Sequence, residues 1–322
     1  MVKILNRGMM EIGERIRNIR SFAEFFLQRK MGKGPTVPIM ALICVLVWDY
    51  GFSQTPDIVR VEYMMMPRND ADAKLARMKL VVNVPIKVGK TDNIILGSEY
   101  NRMAFDLVRG VPYNDEISHT FHVVDLNMAY VLQYNTDWRF VGVVTPRISS
   151  TLENPLEKGD VSVNVTVGAI LDKQQADKPS RLVLGIAYNS TVALRVPLPV
   201  IYYEKRFHPN WTYVVGAPKS GFKYHFNERH LLQTEFILDG YYVNLQGSVI
   251  SADSGIASSI SNSAALVTFG YQYTLAKNVF LYGYVGHTLF QDNALRDHDR
   301  NNIFTLNDEP SFYFRTGFRI GI

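Results

Sequence analysis

Ser311-Phe312-Tyr313-Phe314-Arg315-Thr316-Gly317-Phe318-Arg319-Ile320-Gly321-Ile322 is the stretch from which the rest of the sequence is best read. At alternate positions, Phe312, Phe314, Thr316, Phe318, Ile320 and Ile322 share one face. Ser311, Tyr313, Arg315, Gly317, Arg319 and Gly321 share the other. Successive side chains of a strand point to opposite faces, so this pattern predicts a strand with one apolar and one polar side. A tilted strand crossing a bilayer takes roughly 9–11 residues, apolar outward and polar inward. The competing reading is the terminal strand of a soluble β-sandwich.

The same period-2 alternation recurs upstream. Val59, Val61, Tyr63 and Met65 alternate with Arg60 and Glu62, and Met78, Leu80, Val82, Val84, Ile86 and Val88 alternate with Arg77, Lys79, Asn83 and Lys87. Glu99 and Asn101 mark the polar side of 94–105, Asp125 and Asn127 that of 120–134, and Arg139 and Arg147 that of the run after the 134–137 turn. Val161 to Ala169, Leu182 to Tyr188, two aromatic-rich runs in 196–217, and 229–244 with Gln233, Glu235 and Asp239 continue the series. A hairpin follows across 275–277. Residues 248–263, rich in Ser, Ala and Gly, read as a loop or short helix, and 291–310 as a long exposed loop.

These runs predict an all-β fold, an antiparallel transmembrane β-barrel of about twelve strands (roughly 10 to 14). Short turns at 89–93, 134–137 and 275–277 contrast with longer loops at 108–119, 150–159, 172–180 and 291–310, the asymmetry expected of the two rims. Tyr130, Tyr134, Trp138, Trp211, Tyr213, Phe280, Phe290 and Phe312 fit interfacial girdles. Several runs reach ten residues or more, where soluble strands average about 5–6.

The chain has 322 residues, 47% hydrophobic, with mean hydropathy −0.04, which excludes a polytopic helical membrane protein but not a barrel. Of 34 basic and 30 acidic residues, 8 and 4 lie in residues 1–53, leaving 26 of each beyond. That neutral body gives no case for nucleic-acid binding. Residues 1–30 have a basic amphipathic helical period. They are either a membrane-surface helix or sequence upstream of a true start at Met31, and the second is favoured. Residues 31–53 read as a helical secretory signal peptide: Lys33, the apolar run Pro38 to Trp48, and Gly51-Phe52-Ser53 before a cleavage between Ser53 and Gln54. The single cysteine, Cys44, falls in that apolar run. The expected domains are thus 1–30, 31–53 and a barrel over 54–322.

The terminal stretch resembles the insertion signal of Gram-negative outer-membrane barrels. Arg315, Gly317, Ile320 and Ile322 occupy its polar, glycine, apolar and last places, with Ile322 where Phe is usual. The wider pattern resembles uncharacterised outer-membrane β-barrel families of Bacteroidota-type bacteria. It is carried by Phe52-Ser53-Gln54, Tyr134-Asn135-Thr136-Asp137-Trp138, Leu198-Pro199-Val200-Ile201-Tyr202-Tyr203 and Asp239-Gly240-Tyr241-Tyr242. The resemblance implies location and fold: outer-membrane lipid and the barrel-assembly machinery as partners, and no agreed activity.

With the apolar faces outward, the inward charges include Arg77, Lys79, Glu99, Asp125, Arg139, Arg147, Glu235, Asp239, Arg315 and Arg319. They line either an open, weakly anion-favouring pore or a lumen filled by paired charges, and the filled lumen is favoured. His119 and His122 at i, i+3 point to opposite faces of a strand, so no metal site is expected. No Gly-x-Ser-x-Gly elbow and no phosphate-binding loop occur, and no cofactor is expected. The expected function is a non-enzymatic outer-membrane barrel, structural or a narrow passive solute passage. A lipid hydrolase in the outer membrane and a soluble periplasmic β-barrel binding a small apolar ligand are the alternatives.

Overall fold

The computed structural model describes residues 57–71, 73–107, 120–189, 197–251 and 255–321. The expected leader with its Ser53–Gln54 cleavage, the upstream segment, Cys44, His119 and Ile322 lie outside the described residues.

Among the described residues the chain is all-β, with one 3-10 turn at Lys158–Asp160. The strands are Val59–Met66 (β1), Ala73–Val88 (β2), Asp92–Leu107 (β3), Thr120–Gln133 (β4), Trp138–Ser150 (β5), Val161–Lys173 (β6), Ser180–Tyr188 (β7) and Leu198–His208 (β8). They continue as Trp211–Ala217 (β9), Lys219–His225 (β10), His230–Ser251 (β11), Gly255–Ala276 (β12), Val279–Arg296 (β13), Asn302–Asn307 (β14) and Phe312–Ile320 (β15). Each strand from β1 to β12 pairs with the next, β12 pairs with β13, β13 with β15, and β15 returns to β1. Fourteen strands therefore close an antiparallel barrel, and β14 lies against the upper end of β13. Closure leaves no unpaired edge around the ring.

The alternation orients the wall. Val161, Val163, Val165 and Val167 of β6 are 39–54% exposed, while Asn164 and Thr166 between them are buried. On β2, Met78, Leu80, Val82, Val84 and Ile86 are exposed and Arg77 and Lys79 turn inward. Similar exposed apolar rows run along β4, β7, β12, β13 and β15, so an apolar belt surrounds a polar interior. β-branched and aromatic side chains suit a pleated, half-covered surface.

One rim gathers residues 57 and 321, the connections 89–91, 134–137, 209–210 and 277–278, and the four-residue turn 226–229 before β11. The loop before β7 also lies there. Expected among the long loops of the opposite rim, it has six residues, 174–179, and makes that asymmetry imperfect. Conversely, Pro218 alone joins β9 to β10 at the other rim.

Four further expectations are corrected. The strand absent from the expected runs is β10, seven residues long, with Ser220, Phe222 and Tyr224 on its outward face and Lys219, Lys223 and His225 turned inward; the fourteen strands stand at the top of the expected 10 to 14. Residues 248–251 and 255–263 are strand, not loop: the upper parts of β11 and β12 pair with each other as far as Ser251 and Gly255. Their Ser and Ala content reflects packing on both faces, with the consecutive residues Ser259, Ile260, Ser261 and Asn262 all buried. Likewise, β13 runs on to Arg296 and β14 pairs with it inside the expected 291–310 loop, where Gln291, Asn293 and Asn307 are buried. Phe280 is no girdle residue; it shares the inner face of β13 with Tyr282, and the Arg319 guanidinium lies 4.5 Å from its ring centre.

The upper half of β11 leaves the wall. β10 stops beside it at Lys219↔Ile237, and β11 then meets β5 in a parallel contact at Asn244↔Ser150. These strands are far apart in the ring order, so the hairpin crosses the interior. Tyr241, Val243 and Leu245 of β11, with Ala257, Ile260 and Leu266 of β12, pack against the inward Met64, Met66, Leu75, Met103, Phe105, Phe121 and Val123 of β1–β4. Each large apolar side chain buried this way contributes about 1.5–3 kcal/mol.

Candidate functional site

The interior below this apolar plug is a network of paired charges. Asp125 and Arg147 face each other across β4 and β5 at 2.6 and 2.7 Å. Lys79 meets Glu99 at 2.9 Å. Arg139 and Arg181 (2.7 Å) both bond Asp172. Lys223 reaches Glu204 at 3.0 Å, and the Tyr202 hydroxyl donates to the same carboxylate.

Other charges reach across the lumen as well as to neighbouring strands. Arg77 of β2 grips Asp239 of β11 with two hydrogen bonds, 3.1 and 2.9 Å. Arg315 of β15 reaches Glu235 of β11 at 3.3 Å and Glu62 of β1 at 3.9 Å. Its guanidinium lies 4.1 Å from the Tyr284 ring centre, and Lys219 also bonds Glu235. Arg319 bonds Asp57 at 3.4 Å and Gln272 at 3.0 Å. Buried charges persist only when paired, and here each of the ten sequence-selected charges has an opposite partner.

Gly317 has a packing reason. A Cβ there would lie 2.4 Å from the Tyr282 hydroxyl and 2.8 Å from the Val61 carbonyl oxygen. Tyr282 lies over the glycine and donates at 2.8 Å to Glu62. Arg315 and Ile320 lie on the same strand, Arg315 in the charge network and Ile320 opposite Val59 and Val279.

A polar latch holds the hairpin at the loop rim. Asp160, fully buried in its 3-10 turn, accepts from the Glu157 backbone at 2.8 Å, Asn244 Nδ2 at 2.7 Å and Gln246 Nε2 at 2.7 Å. Burial alone would raise its pKa. The Glu157 N–H, then Ser150, Asn244 and Gln246, outweigh burial and hold it below the usual carboxylate value. The Ser149 hydroxyl adds a 2.7 Å bond to the Tyr242 carbonyl.

His122 bonds the Tyr100 hydroxyl at 2.8 Å, and His225 meets Thr212 at 3.2 Å. Among the described residues, no group of three His, Cys, Asp or Glu is placed to hold a metal. A groove of about 420 Å³ lies over Gly283, with Tyr63, Phe269, Val285 and Phe314 among its lining residues, on the apolar face of the wall.

Residues 67–321 match the model of a family described as Domain of unknown function (DUF6268). The chain belongs to that family. No curated protein matches the sequence. Among solved structures, it is similar to a KdgM porin (9% identity, TM-score 0.35, covering 82% of this chain and 99% of that one). A NanC porin gives 10% identity and TM-score 0.35 over 82% and 100%. A TodX monoaromatic hydrocarbon channel mutant gives 10% and 0.34 over 89% and 94%.

Sequence reading missed several partners: Asp57, Asp172, Arg181, Glu204, Lys219 and Lys223. Alternation against Leu182, Tyr203 and Phe222 carried the signal for Arg181, Glu204 and Lys223. Nothing local signals that Asp239 meets Arg77, which is set by how the ring closes.

Proposed function

We propose that this DUF6268 protein is a non-enzymatic outer-membrane β-barrel, with the short-turn rim toward the periplasm and a lumen filled at rest. The observation that carries the reading is the pairing of an exposed apolar belt with a fourteen-stranded ring that closes β15 on β1. In lipid, only helices and closed barrels satisfy every backbone group, and a belt of this extent is unstable in water. The filled lumen rests on the Arg77–Asp239 bridge and the apolar plug, which both cross the path through the ring.

In this reading a leader over residues 31–53 directs export, with cleavage after Ser53. Arg315, Gly317, Ile320 and Ile322 are read by the assembly machinery, and outer-membrane lipid covers the belt. The paired charges serve as internal struts. The test is fractionation of expressing cells followed by SDS gel mobility with and without boiling. Recovery in the outer membrane with heat-modifiable migration is the expected result. A soluble periplasmic product without a heat shift refutes it.

A further inference from the structure

The interior hairpin is fastened unlike the rest of the wall. Above Ile237 the outer edge of β11 has lost β10 as a partner, and its pairing to β5 is confined to Asn244↔Ser150. The apolar surface it covers includes Met64, Met66 and Met103, side chains that repack easily. At its upper end β11 is irregular: register shifts between Asn244 and Val249, where Gly247 adopts φ +81°, a conformation glycine takes without strain.

On the lumen side, the closed position also leaves polar groups stranded. Tyr241, Asn262 and Asn293 stand in register on β11, β12 and β13, and Gln291 lies one inward position below. The Tyr241 hydroxyl, the Asn262 and Gln291 side-chain oxygens and both polar atoms of the Asn293 amide are buried with no protein group to bond. Native interiors pair almost all such groups. A permanently packed core has no reason to keep four of them along one seam, whereas a surface that is alternately packed and wetted has.

We infer that the Asp239–Gln246 segment with the upper part of β12 is a gate, and that its displacement opens a passage for small anions through the barrel. This rests on the outer-membrane reading above. Displacement releases Asn244 and Gln246 from Asp160 and carries Asp239 away from Arg77. Water then reaches the stranded amides. Arg77, freed of its carboxylate, faces the passage and biases it toward anions.

The test is a reversible lock. Asn244 and Ser150 are paired positions on adjacent strands. Such positions lie roughly 4.7–4.9 Å apart, within the Cα range of about 4.4–6.8 Å that a disulfide spans. The double variant Ser150→Cys/Asn244→Cys is purified from outer membranes and placed in planar bilayers in potassium chloride. Reduced, it lacks two latch groups and is expected to conduct above the wild type. Oxidised, its conductance is expected to disappear and to return with reductant. Under a salt gradient the reversal potential of the reduced form is expected to have the anion-selective sign.

A heat-modifiable barrel that conducts equally oxidised and reduced, or in neither state, overturns the gate and leaves the barrel standing. A cation-selective reversal overturns the role given to Arg77. A product with no heat shift overturns the barrel and the gate with it.

Discussion

Asp160→Ala removes the one buried carboxylate on which the interior hairpin is fastened at the loop rim. Three hydrogen bonds of 2.7–2.8 Å converge on it. Hydrogen bonds to a charged acceptor contribute about 1.5–3 kcal/mol each. Gln246 retains the Asn154 and Pro155 carbonyls at 3.2 and 3.3 Å, so its loss is partial. Counting two bonds at the lower figure gives a loss of about 3 kcal/mol in the opening free energy of the segment. That is a roughly 150-fold rise in the open population. Hydrogen exchange in detergent micelles reads this directly: amides of residues 240–246 are expected to exchange roughly 150-fold faster, with β2–β6 unchanged. Equal exchange in the variant and the wild type at 240–246 would show that the latch contributes nothing. Acceleration spread evenly over the barrel would show that Asp160 supports the whole fold and not this segment.

The pH dependence has a definite sign. The folded pKa of Asp160 is depressed below 3.8. Its contribution is therefore fully present above that value and lost as pH falls through the lower folded value. Protection of residues 240–246 in the wild type should hold down to the ordinary carboxylate range and fail below it. The Asp160→Ala protein should show no such step.

Other expectations follow from the same geometry. Arg77→Ala leaves Asp239 buried and unpaired and should lower stability by about 3–5 kcal/mol, read as a lower temperature of the boiling-induced mobility shift. Arg77→Met/Asp239→Leu should regain most of that loss, and a double variant as unstable as the single one would refute the pairing. Phe318→Asp places a charge on the apolar face and should block membrane assembly, whereas Arg319→Gln should assemble; equal tolerance of both would refute the face assignment. Gly317→Ala forces Tyr282 from its place over the glycine and from Glu62, so folded yield should drop; a full yield with an unchanged heat transition would show that the contact is slack.

Which strands are legible in the sequence, and which are not, divides along one physical line. Period-2 alternation is visible only where the two faces of a strand meet different surroundings. Along β2, β4 and β6 one face meets the exterior and the other a polar interior, and Met78 against Lys79, or Val165 against Thr166, announces both strand and orientation. Upper β12 has no such contrast: Ser259, Ile260, Ser261 and Asn262 are all buried, one face on the plug and the other toward Arg296. Burial on both faces removes the alternation, as it does in sheets covered on both sides. Small polar residues then resemble a loop.

The pairing of inward charges was hidden for a different reason. Alternation tells that Arg77 and Asp239 point inward, but which inward residues meet depends on the closure of the ring, a property of no single segment. Both losses of signal fall on the same part of the molecule. The described residues between Asp239 and Ala264 are where the chain ceases to be wall, so the rules for wall cannot read them. That is also why they are the place to look for function. A barrel needs Val161 to Val167 to stand in a membrane; it does not need a hairpin folded into its own lumen, fixed by Asp160 at one end and Arg77 at the other. Stability alone would be served by a wall of even height. The added hairpin makes sense as something that acts on the passage it fills.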